Sequence, residues 1–156
     1  PVGSAQVTVF ATSHDAGESV DYRVDCGDAA VGILTDTGFV PEPAAAALTG
    51  VDLLVLESNH DVEWLRSGPY PYSLKQRILG QRGHLSNEDA AAFARRMAEC
   101  GTRCIVLAHL SRENNTPQRA LAVMETALSG LDVTVEVAPR GELSACYGAE
   151  VALCRK

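Results

Sequence analysis

Asp52-Leu53-Leu54-Val55-Leu56-Glu57-Ser58-Asn59-His60-Asp61 is the stretch that decides the fold. Four apolar residues in a row follow a single acid. The run is too short for a buried helix and lacks the in–out alternation of a strand with one wet face. It reads as a strand buried on both sides. It then breaks into five polar residues. Cys104-Ile105-Val106-Leu107-Ala108-His109 repeats the design, again with a polar residue at its end. Two such strands with helical sequence between them imply β-α-β organisation, and so a layered α/β class.

The sequence on either side agrees. Between the two strands, Gly68, Pro69 and Pro71 turn the chain, and Tyr72 to Leu79 reads as a short helix. Ser86 is an N-cap for a stronger helix, with Glu88 and Asp89 at its electropositive end and Gly101 beyond its stop. Upstream, Pro41 to Leu48 is helical. Val20 to Cys26 and Ala30 to Leu34 form an antiparallel hairpin about Gly27-Asp28, preceded by a strand at Val7 to Phe10. Downstream, Thr116-Pro117 opens a helix ending near Gly130, and Val133 to Val137 is a further strand. Leu143 to Leu153 is expected to add an edge strand.

The chain has 156 residues, 46% of them hydrophobic, enough for one core and one domain. At 21% charged residues it is not a disordered chain. No apolar run is long enough to span a membrane. Pro1-Val2-Gly3-Ser4 has neither a basic leader nor an initiator Met, which suggests a cut or processed end. The cysteines, Cys26, Cys100, Cys104, Cys146 and Cys154, are odd in number and form no CxxC pair. Free thiols in a reducing cytoplasm are the simplest reading. Net charge is −7, which argues against a generally basic nucleic-acid binder. Yet residues 64–87 contain no acid and hold Arg66, Lys75, Arg77 and Arg82. A basic strip on an acidic body suits local phosphate contact, with a solvated loop as the plain alternative.

All four histidines, His14, His60, His84 and His109, fall at strand ends or in adjoining polar loops. Asp36 and Glu57 fall at strand ends too. Strand ends are where sites assemble in layered α/β proteins, so these residues are the candidate site.

The stretches SHDA at 13–16, TDTG at 35–38, LESNHD at 56–61, GHLSNE at 83–88 and AHLSRENN at 108–115 resemble the metallo-β-lactamase superfamily, nearest its WalJ/YycJ branch. They occur in that family's order and cover most of the chain. The resemblance implies metal-binding roles for His14, Asp36 and His109, with Asp36 bridging two divalent ions, zinc or manganese. It implies that Glu57 and His84 form a catalytic pair, the carboxylate fixing the imidazole tautomer and the ring serving as general acid. His60, Asp61 and Asn115 are expected behind the ligands. The plain alternatives are backbone-bonded loop histidines for His14 and His109, a turn residue for Asp36, and a helix cap for His84.

The resembled family's HxHxDH motif, which supplies further ligands, does not occur in the chain. The expectation is therefore the C-terminal half, spanning 1–156, of a metallo-β-lactamase αβ/βα sandwich: a mixed sheet with helices on one face. By resemblance, the full-length activity is metal-dependent phosphodiester hydrolysis, as a 5′-to-3′ exonuclease on DNA, or RNA. The isolated chain is expected to be inactive, with partial or no metal, and to pair with the missing half or with itself through the bare sheet face. Two rivals stay open: a small-molecule phosphodiesterase or ester hydrolase of the same fold, and a non-catalytic binding or assembly fragment.

Overall fold

The computed structural model describes residues 3–144. Six strands, β1 (Gln6–Ala11), β2 (Val20–Cys26), β3 (Ala29–Leu34), β4 (Leu53–Glu57), β5 (Cys104–Ala108) and β6 (Thr134–Val137), make one sheet. The helices are α1 (Glu42–Leu48), α2 (Val62–Ser67), α3 (Tyr72–Leu79), α4 (Asn87–Glu99) and α5 (Pro117–Ala127). Strand order in the sheet is the order in the chain. β1 to β3 pair antiparallel, and β3 to β6 pair parallel.

This monotonic order explains the layering. Crossovers between parallel strands are right-handed. When each new strand joins the same edge, every crossover helix falls on the same face. Accordingly α1, α4 and α5 share one core with Leu54, Leu56, Ile105 and Leu107. Gly32 sets the contact of α1 with β3: a Cβ there would come 2.4 Å from Leu48 Cδ2. The expected caps are present. Ser86 Oγ accepts from Asp89 N at 3.1 Å, and Thr116 Oγ1 accepts from Arg119 N at 3.3 Å.

The alternate residues of the same strands point to the other face. Leu53, Cys104 and Val106 form a second cluster with Val31, Val55 and Ala138. Towards β1 this face is open. Val9 and Tyr22 sit opposite one another and are 55% and 39% exposed, with Val20 beside them at 42%.

The mixed sheet with helices on one face is the expected half-sandwich. One element was not anticipated: α2, whose N-cap is Asp61, with Asp61 Oδ1 accepting from Trp64 N at 2.7 Å. The expected edge strand at Leu143 to Leu153 lies outside the described residues beyond Ser144. Cys26, Cys100 and Cys104 are free thiols, whereas Cys146 and Cys154 lie outside the described residues. No helix among the described residues is long and apolar enough to cross a membrane.

Candidate metal centre

Topology gathers the site. The C-terminal ends of β3, β4 and β5 share one edge because those strands run parallel. β1 ends at the same edge, because it is antiparallel to β2, and β2 to β3. His14, Asp36, Glu57 and His109 follow or end these four strands, and His84 arrives from the loop before α4.

Glu57 lies at the centre and is fully buried. Its Oε1 is 2.8 Å from His84 Nδ1 and 2.7 Å from His109 Nδ1. Its Oε2 accepts from Thr37 N at 3.1 Å and Leu85 N at 3.2 Å. Burial pushes this carboxyl up, but the bonds from His109, His84 and the Thr37 amide prevail and hold it down to about 2. An ionised carboxylate only accepts, so both rings carry their proton on Nδ1. The same contact raises His109 above the ordinary histidine range. His14 Nδ1 donates to Gly83 O at 3.0 Å, which leaves its Nε2 facing the cluster.

Asp36 Oδ1 lies 3.5 Å from His109 Nδ1, 3.6 Å from His84 Nδ1 and 3.8 Å from His14 Nε2. These spacings are too long for hydrogen bonds. The Asp36 Oδ1–His14 Nε2 spacing joins two atoms that could hold a cation; His84 and His109 would offer Nε2, since their Nδ1 carries the proton given to Glu57. Asp36, Glu57, His84 and His109 each offer a ligand atom within 4.8 Å of the others. Imidazole with carboxylate is the donor set that zinc, manganese and iron accept, so the residues present fit a metal.

The backbone bears the cost of this convergence. Asp36 and His109 are the described non-glycine residues with positive φ, at 48° and 56°. Such conformations in non-glycine residues concentrate at functional sites. Two glycines let the supporting loops cross: a Cβ on Gly38 would lie 2.4 Å from the Gln81 backbone, and a Cβ on Gly83 would meet Ile78 O.

Behind the ligands is an amide network that sequence reasoning found only in part, through Asn115. Asn115 Nδ2 donates to Ser58 O and to Asn87 Oδ1, both at 2.8 Å, and Asn87 Nδ2 returns a bond to Asn115 Oδ1 at 3.1 Å. Asn59 Nδ2 donates to His109 O at 2.9 Å. The network ties together the segments carrying Glu57, His84 and His109. His60 is buried and neither ring nitrogen has a partner; burial lowers it to about 4. Asp61 is engaged elsewhere, capping α2 and pairing with Arg119 at 2.7 Å.

A cleft of about 300 Å³ opens beside the cluster, lined by His14, His84 and His109 and by Tyr70, Arg77 and Arg82. Arg77 donates to Asp15 at 2.5 Å, and this contact holds the Asp15 carboxyl below its usual range. Arg82 donates to His14 O at 3.1 Å. Arg66 and Lys75 lie further out: Arg66 pairs with Glu63 at 3.1 Å, and Lys75 donates to Arg66 O at 2.6 Å.

Known proteins resemble this chain in sequence and fold. The chain is 43% identical over 135 residues to exodeoxyribonuclease WalJ of Streptococcus pneumoniae (strain D39 / NCTC 7466), covering 86% of this chain and 50% of that protein. It is 42% identical over 118 residues to exodeoxyribonuclease YycJ of Bacillus anthracis, covering 76% and 45%. It therefore spans about half the length of the curated relatives it matches. The fold superposes on the metallo-β-lactamase fold protein YhfI of Bacillus subtilis with a TM-score of 0.64 at 20% identity, covering 88% of this chain and 48% of that one. A family model described as a β-lactamase superfamily domain matches residues 1–110. By that match, and by the fold that carries it, the chain belongs to the metallo-β-lactamase superfamily.

Proposed function

We propose that this chain is the C-terminal part of a metal-dependent phosphodiester hydrolase that acts, in its full-length form, as a 5′-to-3′ DNA exonuclease. One observation carries the reading: the Asp36 carboxylate and three imidazoles converge at one edge of the sheet, with ionised Glu57 holding two of the rings by Nδ1. The names of the two relatives support DNA as the substrate.

Divalent ions, zinc or manganese, would supply charge that polarises a phosphodiester and lowers the pKa of water. His14, Asp36 and His109 would hold them. Glu57 fixes the Nδ1–H tautomer of His84 and His109, leaving each Nε2 free for a ligand or a proton. His84 then protonates the leaving oxygen as general acid. Three ligands do not complete two metal sites, so further ligands come from the part of the relatives' length that this chain does not span. The isolated chain is accordingly inactive. The free thiols at Cys26, Cys100 and Cys104 favour a cytoplasmic setting.

The test uses the full encoded protein with manganese or zinc and an oligodeoxynucleotide. His84→Ala lowers turnover and leaves metal content nearly intact; Asp36→Ala lowers both. Robust cleavage by the 156-residue chain alone would overturn the missing-ligand argument. The net charge of −7 favours a second reading, hydrolysis of a small phosphodiester. Salt separates the two, because binding to a DNA backbone weakens steeply as salt rises. The open face at Val9 and Tyr22 suits a third, a binding or assembly fragment, which need not retain a metal at His14, Asp36 and His109.

A further inference from the structure

The segment Pro69-Tyr70-Pro71-Tyr72 enters α3 in the middle of the acid-free stretch. α3 has eight residues and none of them is buried. A helix of that length is not stable by itself. Polar contacts at its flanks hold it: Lys75 Nζ to Arg66 O, Arg77 to Asp15, and His84 N to Ile78 O. It thus stands as a ridge between two clefts. Tyr70, Leu74 and Ile78 line the cleft of the metal cluster. Tyr72 and Leu79 line a second cleft with Arg66 and Lys75. Tyr72 is 77% exposed.

An exposed tyrosine beside two cations, next to a second tyrosine at a phosphodiester site, matches what a single nucleic-acid strand requires. Bases stack on aromatic faces and cations follow the backbone. Pro71, with φ −56°, fixes the backbone between the two rings, so little chain entropy is lost when a ligand orders them. We propose that α3 is a strand-guiding ridge: Tyr70 and Tyr72 stack on bases of one DNA strand on either side of Pro71, while Arg66 and Lys75 meet its phosphates. The inference rests on the nuclease reading above and adds to it a single-stranded segment as the form of substrate the ridge grips.

The test is equilibrium binding by the full encoded protein in EDTA, so that no cleavage is involved. The probes are a fluorescein-labelled single-stranded oligodeoxynucleotide, an abasic strand of the same length and a blunt duplex. Tyr72→Ala is expected to weaken binding of the base-bearing strand about 5- to 100-fold. Binding of the abasic strand should be unchanged. Tyr72→Phe keeps the stacking face and should bind as the parent does. Lys75→Ala should weaken both strands and reduce the salt slope by about 1. Equal binding of the base-bearing strand by parent and Tyr72→Ala would overturn the proposal. So would preference for the blunt duplex, or no binding of any strand. Cleavage with manganese is scored separately. Tyr72-dependent binding without cleavage leaves the ridge standing and removes the hydrolase reading. Cleavage of bis(4-nitrophenyl) phosphate with no Tyr72 dependence for DNA does the reverse.

Discussion

Asp36 and His109 both hold left-handed backbones, and their side chains meet with Asp36 Oδ1 3.5 Å from His109 Nδ1. Strain from two strand ends is thus focused on one contact at the edge of the candidate metal cluster. Asn tolerates left-handed backbone about as well as Asp does, whereas a β-branched residue does not. Asp36→Asn should therefore change the stability of the metal-free protein by less than about 0.5 kcal/mol. It should weaken metal uptake at least about tenfold. Asp36→Val should cost about 1–2 kcal/mol in addition. Denaturant midpoints and metal titration read the two effects separately; equal midpoints for the Asn and Val variants would contradict the role of the backbone.

Glu57 accepts four hydrogen bonds from a fully buried position. In Glu57→Gln, one oxygen becomes an NH₂ that must face N–H donors. Breaking a buried charged network in this way costs about 3–5 kcal/mol. A loss below about 1 kcal/mol by chemical denaturation would mean that the network is not what holds these loops.

His60 gives the clearest pH signature. Its folded pKa is depressed to about 4 from an ordinary value of 6.5. The unfolded chain therefore takes up a proton before the folded one does. Stability is complete above about pH 6.5 and falls by about 1.4 kcal/mol per unit as the pH drops towards 4. His60→Leu leaves no partner unsatisfied, since neither ring nitrogen has one. It should hold or raise stability at pH 7 and flatten the acid limb. An unchanged acid limb in that variant would show that other groups set it.

Val9, Val20 and Tyr22 leave the helix-free face open to water. Burying apolar surface contributes roughly 25 cal/mol per Å². The chain should dimerise face to face, or hold a second polypeptide segment non-covalently on this face. Sedimentation across a dilution series reads this. Val9→Lys with Tyr22→Lys should shift the chain towards monomer. A monomer at high concentration in the unmutated chain would show that this face is not adhesive.

The sequence was most legible where one physical signal dominated. β4 and β5 announced themselves as apolar runs, and α4 and α5 by Ser86 and by Thr116 with Pro117. α2 did not, because Val62–Ser67 is too short to show a period and depends on the cap from Asp61. The placing of candidate site residues at strand ends was legible, since parallel strands bring their ends to one edge. The partners were not. Arg77 finds Asp15 across 62 positions, and Asn87 finds Asn115 across 28. Glu57 meets His109 as well as His84, and no spacing in the sequence specifies that. Such pairings belong to the folded sheet rather than to any local pattern.

The monotonic strand order also bears on how the chain acquires its shape during synthesis. From β1 to β6, each strand hydrogen-bonds the one made just before it. No strand has to insert between two older ones. As the polypeptide emerges from the ribosome, the β1–β3 meander can close first, and every later β-α unit docks onto an edge that already exists. Growth of the sheet can then keep pace with translation, since the strand carrying Glu57 is made before the one that leads to His109.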